Sequence, residues 1–491
     1  MKSLAHEQHF MRSSSASPLS IARLPVELLR RVFVAGFNDD MDEYHIRKFG
    51  CGRFEVLISH VCHQWREVAI STTELWTCIR FAKVKDLDHA REQVKRSRTR
   101  FLDIVIDTAA AEDHIPGVTL SRDEFGDIFD IIQSQVHRWR TLILKVRDET
   151  CKSWARLLTS SCGPAPSLET LELYHIQKWR SEQTLASSIS VLPVTIFDEV
   201  LPKLRNVSFI GVNLVWERTP YLRGLKKLQF ATHAEDVRPT YQEWSRILSS
   251  SPELEKLRLN YSGPRSYGGW HPDPIVLPRL RELSLECMES DYLCRLIDHL
   301  RFPTLRRLHL ELDEEDEDYT PFVNHIGSPD APAFANLRSL HISALECTPE
   351  AWRRFLLSIP NLTGLEVNFR RSSDALFDEL IAGGDDSESD ALSTVTEFGG
   401  NPPSTPPASD EVVVPRLEWF KSTGLQGGEL WAFKEYRDTV GCPIRHFLIS
   451  SDDKDRSTQK LEGCSGVRVS YFAEEEEESH SYAIEGSGEV V

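Results

Sequence analysis

The stretch Pro278-Arg-Leu-Arg-Glu-Leu-Ser-Leu285 decides the fold, because its spacing of apolar residues returns along most of the chain. The pattern is Pro-x-Leu-x-x-apolar-x-apolar, and in a few copies the proline is absent. It recurs from eight further starting points: Pro166, Pro202, Leu225, Pro252, Pro303, Leu337, Pro360 and, in a weaker form, Pro415. Between Leu204 and Leu362, successive copies start 21 to 32 residues apart.

An apolar spacing of this kind, with a period mostly in the twenties, resembles the leucine-rich repeat. Each such repeat contributes one strand and then a helix or loop that returns over the sheet. Helical apolar patterns predict return helices at Tyr241–Ser249, Tyr292–Leu300 and Glu350–Ser358. The asparagine that usually follows the strand in this repeat class is missing, so we expect an irregular array. The predicted fold is therefore α/β, with about ten strands in a curved parallel sheet over residues 101–472.

The chain has 491 residues and a formal net charge of −18, but the negative charge is concentrated. Three tracts hold sixteen acidic residues and no basic ones: Glu311–Asp318, Asp385–Asp390 and Glu474–Glu478. The rest has 59 acidic against 57 basic residues, so we expect a nearly neutral folded body. We predict disordered insertions at 313–332 and 372–414, and disordered tails at 1–20 and 473–491. Net acidity argues against nucleic acid or an anionic membrane as a partner.

Ahead of the array, residues 21–79 have the apolar spacing of a small helical module. Pro25 suits the first turn of a helix. The apolar face of that helix consists of four residues: Leu28, Leu29, Val32 and Phe33. We expect a loop of about twenty residues next, then a helix at Phe54–Ile70 and a short one at Thr72–Ile79. Residues 80–100 are predicted to form a linker helix.

Three motifs in this module resemble the F-box. They are Leu24-Pro-Val-Glu-Leu-Leu-Arg-Arg-Val-Phe33, Val61-Cys-His-Gln-Trp-Arg66 and Ser71-Thr-Thr-Glu-Leu-Trp76. The match is similar to the F-box-like variant abundant in fungi, which a degenerate leucine-rich array commonly follows. The resemblance is at residue level over 21–79, and is one of architecture over 101–472.

The resemblance implies a three-helix module that docks on the Skp-type adaptor of a cullin–RING ubiquitin ligase. A small three-helix unit has little core, so some of its apolar residues would be exposed without a partner. The implied adaptor contacts are Leu24, Pro25, Leu28, Leu29, Val32, Phe33, Val61, Cys62, Trp65 and Arg66. The segment 38–53 is longer than in shorter F-boxes, which leaves the strength of adaptor binding open. The alternative is a helical cap that seals the first repeat.

The outward-facing residues of the strands suggest a second binding surface. Over residues 225–342, the third and fifth positions of the Leu-x-x-Leu-x-Leu part of each motif point away from the core, and they contain more bases than acids. The predicted binding residues are Lys227, Lys256, Arg258, Arg307, His309 and His341. Clustered Arg and Lys suit carboxylate or phosphate groups. We therefore predict an acidic or phosphorylated protein segment as ligand; the alternative is an ordinary solvated sheet face.

No motif supports a catalytic centre, a metal site or a cofactor. His60, Cys62 and His63 are spread around their helix and lack a second ligand pair. Phosphate-binding glycine loops and nucleophile elbows are absent from the sequence. Ten cysteines without a Cys-x-x-Cys pair, and an N-terminus unlike a signal peptide, indicate an intracellular protein, cytoplasmic or nuclear.

Together these features predict a non-catalytic protein with two interaction regions. The first hypothesis is the substrate-recognition subunit of a Skp-type, cullin and F-box ubiquitin ligase, whose repeat array binds the protein to be ubiquitylated. The alternative is a scaffold or inhibitor protein that uses the leucine-rich array without any ligase.

Overall fold

The computed structural model describes residues 24–47, 53–109, 113–147, 149–175, 192–313, 317–328, 334–372, 374–381 and 412–473. The chain divides into two compact units. The first comprises Met1–Arg80 with Lys85–Asp103, and the second comprises Phe81–Val84 with Ile104–Val491.

Helices dominate the first unit. They are α1 (Val26–Arg47), α2 (Phe54–Ser59), α3 (His63–Ser71) and α4 (Asp86–Ser97), with a 3-10 turn at Thr73–Trp76 and strand β1 at Cys78–Phe81. Leu29, Phe33 and Phe37 recur every four residues on α1, so they lie on one side of it and join a common core. Phe33 meets Trp65 edge to face, with ring centroids 4.9 Å apart. The core of this unit is therefore built on one stripe of α1.

The local structure of this unit differs from the sequence expectation at three places. The first helix continues to Arg47, where a loop was expected. The expected helix Phe54–Ile70 is divided into α2 and α3. The break lies at Cys62, whose backbone is extended (φ −159°). Its Sγ accepts a hydrogen bond from the backbone amide of Trp65, so Cys62 caps the N-terminus of α3. The expected helix Thr72–Ile79 is a 3-10 turn followed by β1.

The remaining strands alternate with return segments. They are β2 (Leu102–Asp107), β3 (Trp139–Val146), β4 (Thr170–His175), β5 (Asn206–Ile210), β6 (Lys227–Ala231), β7 (Lys256–Asn260), β8 (Ile275–Val276), β9 (Glu282–Glu286), β10 (Leu300–Arg301), β11 (Arg307–Glu311), β12 (Ser339–Ser343), β13 (Gly364–Asn368), β14 (Trp419–Thr423), β15 (His446–Ser450) and β16 (Arg468–Phe472). Within the described ranges, all strands but β8 and β10 form one 14-stranded sheet in chain order. From β3 onward the pairing of its strands is parallel. The chain is thus an α/β protein with a long repeat sheet, as its spacing predicts, with more strands than expected.

Parallel register aligns the repeats residue by residue. Leu228, Leu257, Leu283, Leu308 and Leu340 occupy successive rungs of one column, and all of them are buried. The residues that flank each of these leucines point to the opposite face. Outward side chains on neighbouring strands therefore lie side by side, and the register determines which residues are adjacent.

Return helices cover the other side of the repeats. They are α5 (Arg122–Ile132), α6 (Glu149–Ser161), α7 (Tyr241–Ser249), α8 (Ser290–Asp298), α9 (Thr320–Ile326), α10 (Pro349–Ser358), α11 (Ala375–Ile381), α12 (Gly427–Thr439) and α13 (Arg456–Glu462). Helices α7, α8 and α10 lie where the sequence predicts them.

Both insertions that were expected to be disordered contain ordered return helices. In 313–332, helix α9 buries Phe322, Val323 and Ile326. In 372–414, helix α11 buries Leu376, Phe377 and Leu380. Residues 382–411, the tail 1–20 and the acidic stretch Glu474–Glu478 lie outside the described residues.

A residue in the left-handed conformation directly follows several strands, where leucine-rich repeats usually have an asparagine turn. Gly211, Thr232, Tyr261 and Cys287 follow β5, β6, β7 and β9 directly, with φ between 45° and 64°. Each donates its amide to the carbonyl of the last strand residue of the next repeat, at 2.9 Å. The backbone thereby satisfies its own polar groups at the turn.

Candidate functional site

Large apolar side chains are exposed on the helices of the first unit. Leu28 and Val32 on α1 are 46% and 50% exposed, while Leu57 on α2 and Val61 between α2 and α3 are 63% and 59% exposed. We call these four residues the apolar set. Val26 and Ile70 in the same unit are exposed as well.

The exposure follows from the helical geometry of α1. Leu29 and Phe33 are four residues apart and fill the core, while Leu28 and Val32, also four apart, lie on a neighbouring stripe. The unit can bury one stripe only. Water-exposed apolar area costs about 25 cal/mol per Å² relative to burial, so this arrangement favours a partner that covers the second stripe.

The ten residues implied as adaptor contacts divide into three groups. Those open to solvent are Pro25, Leu28, Val32, Val61, Cys62 and Arg66; Leu24 and Trp65 are half-buried; Leu29 and Phe33 are core residues. Leu57, which is not among these ten residues, is the most exposed of the apolar set. The adjacent Ile58 on α2 is buried and occupies the core side of that helix instead.

Arg66 and Cys62 also stabilise the break between α2 and α3. The guanidinium Nε of Arg66 donates to the carbonyl of Ser59 at 3.0 Å, which satisfies a carbonyl at the end of α2. Cys62 caps α3. These two positions therefore have a structural role in the isolated chain, whereas Leu28 and Val32 have no comparable one.

On the outward face of the sheet, most of the predicted cations are paired with carboxylates. Lys256 Nζ and Arg307 Nη2 lie 2.8 and 2.7 Å from the same oxygen of Glu282. Arg258 binds both oxygens of Glu286, at 2.7 and 2.9 Å. Burial alone would raise the pKa of Glu286, but the charge and hydrogen bonds of Arg258 outweigh it and lower that pKa.

The two histidines of this face stack on neighbouring strands. The rings of His309 and His341 are nearly parallel, with centroids 4.0 Å apart. His309 Nε2 lies 3.6 Å from Glu311, and His341 Nδ1 lies 3.4 Å from Glu366. Each carboxylate also has a basic side chain beside it, since Arg371 is 2.7 Å from Glu311 and Lys421 is 2.5 Å from Glu366.

The charge balance of the outward face therefore differs from the count based on the sequence. That count stopped at the fifth position, counted from the first leucine of each copy, and omitted Glu286 and Glu311, which lie two residues further along on the same face. It also omitted Glu366, which lies beyond the strands counted. Of the six predicted binding residues, Lys227 is the one without a carboxylate within 4 Å among the described residues. An acidic ligand on the central face would have to displace existing ion pairs.

Within the described ranges, no group of three or more His, Cys, Asp or Glu side chains is arranged to hold a metal ion. None of the described helices combines the length and the apolar composition needed to span a bilayer.

The parallel register, the buried leucine columns and the returning helices define a leucine-rich-repeat-type α/β solenoid. No protein-family model and no curated protein matches the chain. The solved complex of Rad7 and Elc1 from yeast is similar at 13% identity and a TM-score of 0.37, over 90% of this chain and 93% of that chain. A protein of Bacteroides fragilis is similar at 12% identity and a TM-score of 0.30, over 60% and 74% of the two chains. Neither likeness is strong enough to inform function.

Proposed function

We propose that this chain is the substrate-recognition subunit of a Skp-type, cullin and F-box ubiquitin ligase. The observation that carries the proposal is the apolar set, because Leu28, Val32 and Val61 are both exposed and part of the F-box-like motifs. The proposed occupant of this surface is the Skp-type adaptor. Full burial of an exposed Leu or Val side chain contributes about 1.5–3 kcal/mol. The four residues of the apolar set are about half exposed, so covering them supplies part of the free energy of binding, against the cost of association.

The repeat sheet is the proposed substrate-binding part. The chain contributes no chemical step; the ligase transfers ubiquitin to a partner that the repeat array holds nearby. Tethering raises the local concentration of that partner and makes the transfer effectively intramolecular. The proposed location is the cytoplasm or the nucleus.

The test is co-purification of the full chain with a Skp-type adaptor, followed by a titration. Leu28→Asp combined with Val32→Asp should weaken adaptor binding at least about 100-fold, because two apolar contacts are lost and two charges would be buried. Both residues are exposed in the free chain, so thermal unfolding of the variant should be unchanged.

Leu157→Asp is the matched control, because Leu157 is 59% exposed and lies on α6 in the second unit. It should bind the adaptor like the parent chain. Absence of adaptor binding by the parent chain would refute the proposal and favour the ligase-independent scaffold. Substituting Trp65 is less informative, because its ring packs against Phe33 in the core.

A further inference from the structure

Exposed bases line the edge of the sheet at which the strands begin. In the 14-stranded sheet, the residue before each strand from β5 to β12 occupies an equivalent position: Arg205, Lys226, Glu255, Arg281, Arg306 and Arg338. Backbone hydrogen bonds of 2.7 to 3.0 Å join them in this order, each amide to the carbonyl of the previous residue in the series. They are therefore about 4.8 Å apart, as strands in a sheet are.

Five of these six positions are basic, and Lys227 lies next to them at the start of β6. We call Arg205, Lys226, Lys227, Arg281, Arg306 and Arg338 the basic edge. All six side chains are exposed. Within the part of the chain that the structure describes, none of them has a carboxylate within 4 Å. Arg205 and Arg338 donate to backbone carbonyls at 2.9 and 3.2 Å, which leaves their charge uncompensated.

The basic edge contrasts with the face beside it. There Lys256, Arg258 and Arg307 are held by Glu282 and Glu286. The cations available to a ligand therefore lie at the edge. The chain has a net charge of −18, so a row of six exposed bases without a nearby carboxylate among the described residues is unusual for its composition.

The chemistry of the basic edge suits carboxylates on a polypeptide. Arginine forks bind carboxylates in a bidentate manner, and long Arg and Lys side chains can follow the side chains of an extended segment. Single-stranded nucleic acid also requires exposed aromatic rings for stacking. Phe302 and Phe334, in the loops that lead into β11 and β12, are both buried. The negative charge of the whole chain disfavours a duplex.

We infer that the basic edge binds an Asp- and Glu-rich segment of a partner protein, which lies across the strands from β5 to β12. Under the proposed function this partner is the ubiquitylation substrate, and that assignment rests on the proposed function. The binding itself does not depend on the adaptor.

The experiment uses the full chain and a fluorescein-labelled glutamate-rich peptide, followed by fluorescence anisotropy at low salt. The combined variant Lys226→Glu, Arg281→Glu and Arg306→Glu should weaken binding at least about tenfold, because three attractions become repulsions. Binding by the parent chain should also weaken as salt is added.

The matched control reverses three exposed bases elsewhere: Lys95→Glu, Arg456→Glu and Lys460→Glu. It changes the net charge equally and should leave peptide binding within about twofold. Equal weakening by both variants would show a general charge effect and overturn the inference. So would tighter binding of a single-stranded RNA or a DNA duplex than of the peptide.

Adaptor binding is measured on the same variants. The edge variant should bind the adaptor normally, since its substitutions lie in the second unit. A chain that binds the peptide at the edge but binds no adaptor would refute the proposed function and leave this inference standing.

Discussion

Glu366 illustrates how a single carboxylate is stabilised on the outward face. Burial by itself would raise its pKa, but the hydrogen bonds and charges of His341 and Lys421 outweigh this effect and lower the pKa to about 2. The ionised form is therefore favoured in the folded protein. Its contribution to the free energy of unfolding is complete above the ordinary pKa of 4.5 and is lost as the pH falls towards 2.

Glu366→Gln should lower the free energy of unfolding by about 1–3 kcal/mol at neutral pH. The difference from the parent chain should shrink as the pH falls below 4.5, and urea unfolding at several pH values measures it. Glu346→Gln is the control, because Glu346 is exposed, and it should have little effect at any pH. A difference that does not change with pH would contradict the ionic explanation.

At residue level, the sequence predicted which side chains point outward but not what they contact. The alternation of each motif places Lys256, Arg258 and Arg307 on one face, and the structure agrees. Their partners, Glu282 and Glu286, are on neighbouring strands more than twenty residues away. The register that joins them depends on the length of the return segments, which the motif does not specify.

At the level of elements, the left-handed turns after the strands constrain the backbone most at Gly211. Its φ is +64°, and a Cβ atom there would lie 2.7 Å from the carbonyl oxygen of His175. Gly211→Ala should therefore lower the free energy of unfolding by about 2–4 kcal/mol, from the unfavourable φ and the clash together. Denaturant titration measures the change.

Ala344 provides the matched comparison. It directly follows β12 with a φ of 51°, so it already has a side chain in the left-handed region. Ala344→Gly should leave stability unchanged or raise it by up to about 1 kcal/mol. Similar losses for both variants would mean that the turns are not limited by backbone conformation.

Helix α9 is an element that the sequence analysis did not predict. The acidic tract before it led to an expectation of disorder over 313–332. The helix is short, and Phe322, Val323 and Ile326 are its only buried apolar residues among those described. A helix this short is stabilised by the packing of these three residues against neighbouring return helices. The composition of the segment alone does not reveal that packing.

At the scale of the whole molecule, the sheet is an array in which each strand is paired with its neighbours in sequence. Stability in such an array is close to a sum of nearest-neighbour contributions. Among the described residues, the last strand, β16, pairs with β15 alone, and each of its residues is at least partly exposed. The central strands β9 and β11 have neighbours on both sides.

Amide hydrogen exchange should therefore be faster in β16 than in β9 or β11, by at least about tenfold. Exchange followed by mass spectrometry of peptides from these strands measures the difference. Uniform protection along the sheet would show that the array unfolds as one cooperative unit instead.

The repeat spacing predicted the fold class and the order of the strands, because the apolar columns of a parallel array must align. It missed β1, β3, β15 and β16, and so underestimated the size of the sheet. The sequence of β3, Trp139-Arg-Thr-Leu-Ile-Leu-Lys-Val146, has apolar residues at most positions but no leucine in the first position of the motif. Pairing with β4 defines it as a strand, and that pairing is a property of the assembled sheet.

The main-chain hydrogen bonds at the strand ends also affect how far the sequence of such a protein can diverge in evolution. In an asparagine turn, one side chain satisfies the polar groups, so every repeat must keep it. Here main-chain amides perform that task, and the turn residue is Gly211, Thr232, Tyr261 or Cys287 in successive repeats. The buried leucine columns must then be kept, while the turns accept several residue types wherever, unlike at Gly211, a side chain can be accommodated. Repeats of this kind can diverge until little of their common origin is visible, while the architecture persists.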